Sequence, residues 1–235
     1  MGSSGILGTG VALPEKVITN YDLEKMVETS DQWIMERTGI KERRQAAPHE
    51  TTSTLSVQAA RKALEMAGIR AQDLDLIICS TISPDMPLPS TAAFIQRDLG
   101  APACCAFDLA AACSGFLFGM TVADKFIRTG QAKYALVIGA ELLSRYLDYT
   151  DRATCVIFGD GVAAGVIGPV SPPSGILAAE PDTLGKWLND PEAWLWVDLF
   201  RGADAAEQIL RDIFQFHPAV VKDSLKDARH PRVHA

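Results

Sequence analysis

Residues 103–130 read ACCAFDLAAACSGFLFGMTVADKFIRTG. The first part, Cys104–Leu109, is an apolar run of strand length, and from Ala112 onward apolar residues recur at helical spacing until a glycine ends the pattern. The pattern predicts a strand that turns directly into a helix through a few small residues. Cys113 then lies in the first turn of that helix.

Two interpretations of Cys113 follow from this position. Unpaired backbone N–H groups and the positive end of the helix dipole favour a thiolate there, and a thiolate is a nucleophile. Free cysteine is also among the most often buried residue types, so the composition around Cys113 is compatible with a small core position as well. The residues around it leave both interpretations open.

The composition limits the class of protein. The 235 residues carry a net charge of -7 and no run of lysine or arginine, which argues against nucleic acid as a partner. The histidines, at positions 49, 217, 230 and 234, are too scattered for a metal site. The first residues lack a basic and apolar leader, and no apolar stretch approaches about 18 residues, so we expect a soluble, cytoplasmic protein with no membrane contact.

The cysteines give a further compositional signal. They are odd in number and contain no CxxC pair: Cys79, Cys104, Cys105, Cys113 and Cys155. This pattern favours reduced thiols over a disulfide framework or a zinc site.

Strands and helices are predicted to alternate along most of the chain. Nearly continuous apolar runs predict buried strands, and helical periodicity predicts the segments between them. The predicted strands are 6–11, 74–82, 104–109, 134–140 and 162–167, and the predicted helices include 31–37, 52–67, 91–99 and 112–129. The alternation is typical of an α/β protein with a mostly parallel sheet covered on both faces. The helix after Cys113 is apolar almost all round, which predicts a central position.

The pattern changes near Gly168, where prolines at 169, 172 and 173 interrupt regular structure. We therefore predict two parts, 1–170 and 171–235. Just before the boundary, residues 159–161 (GDG) are predicted to form a tight turn between two strands. A phosphate loop is disfavoured there because no lysine follows and neither GxGxxG nor GxxxxGK[ST] occurs.

Trp33 and Arg37 stand four residues apart on a short helix that Ser30 can cap and Gly39 can end. They therefore share one face. Without further information, the pair indicates an aromatic ring packed under an arginine stem.

Three separate segments resemble one family. They are Thr29–Arg44 (TSDQWIMERTGIKERR), Asp108–Phe116 (DLAAACSGF) and Asp151–Gly161 (DRATCVIFGDG). Together, and at this mutual spacing, they resemble β-ketoacyl-acyl carrier protein synthase III, the condensing enzymes that begin bacterial fatty acid synthesis. The resemblance runs without obvious gaps from about residue 6 to residue 168.

The resemblance implies a thiolase-like fold. This is a layered α/β fold of two similar halves, each built on a mixed, mostly parallel five-stranded sheet, and its members form homodimers. By the same resemblance, 1–170 is the N-terminal half with the nucleophilic cysteine, and 171–235 is a divergent or truncated start of an incomplete second half.

The resemblance also implies roles for individual residues. Cys113 would be the acyl-accepting nucleophile, with its own backbone N–H in an oxyanion hole. Trp33 and Arg152 resemble the pair that sandwiches the adenine of coenzyme A, with Thr29 and Arg37 near the nucleotide and its phosphates. Stacking between an indole and a guanidinium plane suits an adenine ring, and a charged fork suits phosphate.

Two further residues are implied to shape the acyl pocket. Leu88, in the PLPS loop, falls where the family places a residue that reaches across the dimer and closes the pocket of the partner, and many members carry Phe there. Phe158 is the second pocket residue. The primer that fits depends on the shape around these two side chains, which the sequence does not give.

The sequence departs from the family after residue 170. The second half of the family supplies a histidine in a PHQAN-like motif and an asparagine in a GNTS-like motif, and neither motif occurs here. Residues 211–228 (RDIFQFHPAVVKDSLKDA) weakly resemble the opening of that second half. His217 precedes a proline within this stretch and is not assigned the role of the family histidine.

The implied function is that of an acyltransferase that condenses an acyl-CoA primer with malonyl-acyl carrier protein through an acyl-cysteine intermediate. The partners are then acyl-CoA and acyl carrier protein, with no permanently bound cofactor and no metal. The family histidine and asparagine hold the developing enolate oxygen, so without them we expect little condensation. Two alternatives stay open: a non-catalytic subunit that binds acyl thioesters or acyl carrier protein, and an inactive fragment.

Overall fold

In the computed structural model, the described residues are 3–101, 104–171 and 175–176. They belong to the first, Met1–Ile176, of two units into which the chain divides. Most of the predicted second part, 171–235, lies outside the described residues, as do His217 and the segment 211–228. The division into parts at residue 170 therefore stays a prediction.

Two strands and two helices open the described chain, and strands and helices alternate from the third strand onward. In order they are β1 Ser3–Ala12, β2 Lys16–Thr19, α1 Asn20–Leu23, α2 Asp31–Thr38, β3 Glu42–Gln45, α3 Thr52–Ala67, β4 Leu76–Ser80, α4 Thr91–Leu99, β5 Cys105–Leu109, α5 Gly115–Arg128, β6 Ala135–Leu142, α6 Arg152–Cys155 and β7 Asp160–Val170. Short 3₁₀ turns lie at Ala71–Asp73, Ala112–Ser114 and Leu143–Arg145.

Five strands form the central sheet in the order β1-β7-β6-β4-β5. Strand β4 is parallel to both of its neighbours, β5 and β6, whereas β7 is antiparallel to β6 and to β1. Four of the five strands therefore run in one direction, and the prediction of a mixed, mostly parallel sheet is confirmed. Strand β4 is buried along its whole length, as a strand covered on both faces should be.

Helices cover both faces of this sheet. Ile77 and Cys79 of β4 pack in one core cluster with the apolar faces of α3 and α4. Leu76 and Ile78, which alternate with them and so point to the other face, pack against α5. Helix α3 packs very closely on strand β1. A Cβ at Gly10 of β1 would overlap the carbonyl oxygen of Ala59 in α3, so this contact depends on the glycine.

Three features differ from the sequence-based expectations. Helix α5 is buried only along one stripe, and its Phe118 is 47% exposed, so apolar composition all round did not give burial all round. Residues 159–161 do not form a turn between two strands, because α6 precedes them and Asp160 already begins β7. A second, two-stranded antiparallel sheet of β2 and β3 was not predicted.

Candidate active site

Cys113 lies where β5 ends and α5 begins, and its side chain is exposed. The thiol sits in the 3₁₀ turn that precedes α5, whereas the sequence pattern placed it in the helix itself. Ala112 has a φ of 45°, the one positive φ of a non-glycine residue in the described chain. An L-residue held in that region is strained by about 1–2 kcal/mol, a cost that the surrounding structure must offset.

Gly115 fixes this turn against the sheet. A Cβ at Gly115 would overlap the Ser80 hydroxyl oxygen, and Ser80 is the last residue of β4. Because glycine has no Cβ, the start of α5 approaches the strand end this closely without displacing the Ser80 side chain. The contact holds Cys113 at the carboxyl edge of two neighbouring parallel strands, β4 and β5.

The other cysteines differ from Cys113 in exposure. Cys79, Cys104 and Cys155 are buried, and Cys105 is exposed. Burial raises the pKa of Cys79, and the nearby carboxylates of Asp108, Asp85 and Glu141 act in the same direction. Burial is also the main cause that raises the pKa of Cys104 and of Cys155. Cys113 and Cys105 are thus the two thiols that solvent reaches readily.

Trp33 meets two arginines. The guanidinium carbon of Arg37 lies 4.3 Å from the centre of the indole ring, and that of Arg152 lies 4.7 Å from it. Arg152 also donates from Nη1 to the Glu28 carbonyl oxygen at 3.1 Å. The structure therefore brings together the two residues assigned to the adenine sandwich, although Arg152 rests directly on the ring.

The space between Trp33 and Arg152 is too narrow for a base. Two van der Waals contacts of about 3.5 Å each require a separation of about 7 Å between the flanking planes. Arg152 would have to retreat by roughly 2 Å to admit an adenine. Thr29 lies next to this cluster in the chain, and its hydroxyl is buried with no hydrogen-bond partner among residues 3–101, 104–171 and 175–176.

Leu88 is 85% exposed and lies at the tip of the loop between β4 and α4. The N-terminal side of this loop is fixed, because Ser83 Oγ donates to Glu141 Oε2 at 2.7 Å and the Ile82 N–H donates to Glu141 Oε1 at 3.0 Å. Burial raises the pKa of Glu141, and these two bonds oppose the rise. Asp85 accepts from the Ser53 N–H at 3.1 Å.

The C-terminal side of the same loop is fixed by Asp108, which accepts from the Thr91 N–H at 2.7 Å and from the Ala92 N–H at 2.8 Å. Both ends of the loop are thus held, and Met86 and Leu88 project from between them. Phe158, the other predicted pocket residue, is 37% exposed and follows α6, the helix that carries Arg152.

A surface cavity lies beside β3 and the start of β7. Its lining consists of Leu13, Glu42, Arg43, Arg44, Gly159, Asp160 and Gly161. None of the predicted site residues lines it. Asp160, buried at its edge, accepts from the Ala46 N–H at 2.7 Å and the Ser144 N–H at 2.8 Å, which is a structural role for the GDG segment.

Sequence reasoning missed two polar residues that the structure takes out of full solvent contact, the buried Arg43 and the half-buried Glu141. Arg43 stands in a charged run that is typical of a solvated surface, and Glu141 lies near the end of the apolar strand β6 and belongs to no motif. In the described part of the chain, no group of three or more His, Cys, Asp or Glu side chains is arranged to hold a metal ion. Among the same residues, no helix has the length and hydropathy to cross a bilayer.

Comparisons with known proteins point to one group. The family model described as 3-oxoacyl-[acyl-carrier-protein] synthase III, another name for β-ketoacyl-acyl carrier protein synthase III, matches residues 107–185. The β-ketoacyl-[acyl-carrier-protein] synthase III of Caldanaerobacter subterraneus subsp. tengcongensis is 52% identical over 192 residues, which are 80% of this chain and 58% of the relative. That of Thioalkalivibrio sulfidiphilus is 55% identical over 184 residues, 78% of this chain and 57% of the relative.

The solved structures that this chain resembles include members of the same family. The crystal structure of 3-oxoacyl-[acyl-carrier-protein] synthase III from Aquifex aeolicus is similar with a TM-score of 0.74 and 43% identity, over 90% of this chain and 71% of that one. The priming β-ketosynthase of the R1128 polyketide pathway follows with a TM-score of 0.71 and 32% identity, over 80% of this chain and 60% of that one. This chain thus spans less than two thirds of the length of the curated relatives it matches.

Proposed function

This chain belongs to the β-ketoacyl-acyl carrier protein synthase III family, which has the thiolase-like fold, and we propose that it is an acyltransferase that loads an acyl group from acyl-CoA onto Cys113. In the whole reaction the acyl group then condenses with malonyl-acyl carrier protein and begins fatty acid synthesis. Acyl-CoA acts as a substrate, and no permanently bound cofactor takes part. The same proposal includes a cytoplasmic location.

The loading step is a thioester exchange. The sulfur of Cys113 attacks the carbonyl carbon of acyl-CoA and forms a new carbon–sulfur bond, and the bond between that carbon and the coenzyme A sulfur breaks. The proton of the Cys113 thiol is transferred to the departing coenzyme A thiolate, so the products are acyl-cysteine and free coenzyme A. No oxidant, reductant or metal is consumed.

The turn that carries Cys113 supports this chemistry. The first N–H groups of a helix have no partner within the helix, and the backbone N–H of Cys113 stands at this position. A fixed N–H donor stabilises the negative oxygen of the tetrahedral intermediate without reorganising during the reaction. The close contact between Gly115 and Ser80 keeps the donor in place.

Trp33, Arg152, Arg37 and Thr29 are proposed to bind the nucleotide end of coenzyme A. Adenine would enter between Trp33 and Arg152 after Arg152 leaves the ring, and Arg37 would meet phosphate. Thr29 is assigned to the nucleotide as well, and its hydroxyl is buried without a hydrogen-bond partner among the described residues. These contacts place the thioester end of a long substrate by holding its distant end.

Leu88 and Phe158 are proposed to shape the acyl pocket. An apolar side chain that is 85% exposed on an anchored loop is suited to cover a pocket of another copy, and we therefore propose a homodimer as the working form. Acyl carrier protein is the proposed second partner.

Condensation needs groups beyond those assigned so far. The resemblance assigns the enolate donors to a histidine and an asparagine in PHQAN-like and GNTS-like motifs, which these 235 residues do not contain. Loss of one such donor typically costs about a hundredfold to a thousandfold in rate. We therefore propose that the 235 residues by themselves support loading of Cys113 and almost no condensation.

The observation that carries the proposal is the exposed Cys113 thiol on a turn fixed between β4, β5 and α5, inside the segment that the family model matches. The test is transfer of radiolabelled acetyl from acetyl-CoA to the protein, with product formation from malonyl-acyl carrier protein followed in parallel. Cys113→Ala should abolish labelling, and Cys105→Ala, which removes the other exposed thiol, should leave it intact. Labelling that survives Cys113→Ala would contradict the proposal, as would rapid condensation by these residues alone.

A further inference from the structure

Arg43 is a buried arginine that the proposed chemistry does not use. It lies on β3, is 8% exposed, and forms hydrogen bonds with Asn20 and Val156. We propose that Arg43 is a positioning residue that holds the two helices of this sandwich, α2 and α6, at a fixed separation. The inference rests on the proposed function, because it deepens the assignment of Trp33 and Arg152 to coenzyme A.

The first link runs from Arg43 to α2. Arg43 Nη1 donates to Asn20 Oδ1 at 2.8 Å. The amide nitrogen of Asn20 donates in turn to Asp31 Oδ1 and to the Ile40 carbonyl oxygen, each at 2.8 Å. Asp31 is the first residue of α2, and Ile40 follows the residue that caps its end. One amide side chain therefore ties both ends of the helix that carries Trp33.

The second link runs from the same guanidinium to α6. Arg43 Nη2 donates to the carbonyl oxygen of Val156 at 2.8 Å. Val156 caps the C-terminal end of α6, the helix that begins with Arg152. The two nitrogens of one planar group are thus bonded to the supports of the two residues that would flank the adenine.

The chemistry of arginine suits this task. A guanidinium holds its donors in a rigid plane, so bonds to two partners fix the distance between them, whereas the single ammonium of lysine does not. No carboxylate forms an ion pair with Arg43 in the described segments, and its Nε is buried without a partner there. A charge buried on these terms is unfavourable for stability, and burial lowers the pKa of Arg43. What the side chain supplies is a set of directed bonds.

The proposed role concerns the width of the base slot. Arg152 has to move by roughly 2 Å for a base to enter, and it can do so by a change of side-chain rotamer if the backbones of α2 and α6 stay in place. Without the links through Arg43, the separation of the two helices depends on the apolar cluster that Ile34 shares with Cys155 and Val156, so the width of the slot is held less firmly. Affinity for the nucleotide should then fall.

The test compares two acetyl donors on the 235-residue chain. Arg43→Met removes both links, and Arg43→Lys keeps the charge but not the fork. We expect both variants to weaken coenzyme A binding, measured by calorimetry, by about threefold to thirtyfold. This is the loss expected when the stacking contacts of the base with Trp33 and Arg152 are weakened. Acetylation of Cys113 from acetyl-pantetheine, which lacks the nucleotide, should change by less than about twofold because it does not use the slot.

Arg44→Met is the matched control. Arg44 is the next residue on β3 and also donates to backbone carbonyls, at Pro14 and Glu15, but has no link to α2 or α6. It should retain normal affinity for coenzyme A. Thermal unfolding of each variant is measured first, and binding is then compared at a temperature at which all variants are folded.

The outcomes separate this proposal from the function on which it rests. If Trp33→Ala weakens coenzyme A binding and Arg43→Met does not, the positioning role is wrong and the clamp stands. Equal losses with both acetyl donors, or failure of both Arg43 variants to fold, would mean that Arg43 supports the fold alone. If the unaltered chain does not bind coenzyme A, both proposals fail.

Discussion

Removal of Trp33 should weaken coenzyme A binding more than removal of Arg152, although both are assigned to one clamp. Trp33→Ala removes the surface on which the base stacks, and such losses amount to about 1–3 kcal/mol, or roughly a fivefold to 150-fold lower affinity. Arg152→Ala has two opposing effects. It removes one face of the sandwich, and it also removes one of the two guanidiniums that rest on Trp33 before the ligand arrives.

The size of the second effect follows from the unliganded contacts. In the free protein Arg152 lies 4.7 Å from the centre of the Trp33 ring and is bonded to the Glu28 carbonyl oxygen at 3.1 Å. A cation–π contact at an exposed site contributes about 0.5–1 kcal/mol, so the free protein of Arg152→Ala no longer has to give up a similar amount on binding. The lost stacking on the base and the avoided cost of displacing Arg152 nearly cancel. We therefore expect the affinity of Arg152→Ala for coenzyme A to fall by at most about threefold.

Calorimetric titration with coenzyme A measures both variants under the same conditions. Arg145→Ala serves as the control, because Arg145 is a surface arginine bonded to the Glu50 carbonyl oxygen and is not part of the Trp33 cluster. A loss for Arg152→Ala that equals or exceeds the loss for Trp33→Ala would refute the reasoning. It would mean that Arg152 does not rest on the ring in the free protein.

Three other measurements test the site. Gly115→Ala should slow acetylation of Cys113, because the added methyl overlaps the Ser80 side chain and a misplacement of about 1 Å can cost about a hundredfold in rate. Gly130→Ala should lower stability and not the chemistry, because Gly130 has a positive φ and follows the end of α5. Iodoacetamide mapping of folded protein should label Cys113 first, then Cys105, with the three buried cysteines last. Burial raises the pKa of Glu141, so its carboxyl binds a proton more tightly in the folded protein than in the unfolded chain. The free energy of unfolding should therefore fall as the pH rises above 4.5. Glu141→Gln should lessen this fall, which denaturant titrations at several pH values would measure.

The segment that the sequence described best is 103–130. Its apolar run and helical period were sufficient for a strand, a turn and a helix, because both patterns come from burial against one sheet. The positive φ of Ala112 was not predictable, since three alanines carry no signal for a left-handed residue. Which side of α5 is buried was equally hidden, because its buried stripe contains small residues and Asp124, whereas the large apolar Phe118 is 47% exposed.

The small sheet of β2 and β3 shows why other parts could not be read. Its strand β3 is Glu-Arg-Arg-Gln, which has neither apolar alternation nor strand-forming residues. Tertiary contacts decide its structure, since Arg43 turns inward to bond Asn20 and Val156, over 100 residues away in the second case. Trp33 and Arg152 are similarly distant in the chain, so their approach was expected only from the family resemblance.

The anchored loop between β4 and α4 also matters for engineering. Hydrogen bonds through Glu141 and Asp108 hold its two ends, and residues 86–89 between them carry none of those bonds. Residues 86–89 can therefore be replaced by other sequences while the hydrogen bonds at both ends of the loop are kept. A library of tips grafted onto one scaffold would vary the side chain at position 88 while the sheet and the turn of Cys113 stay constant.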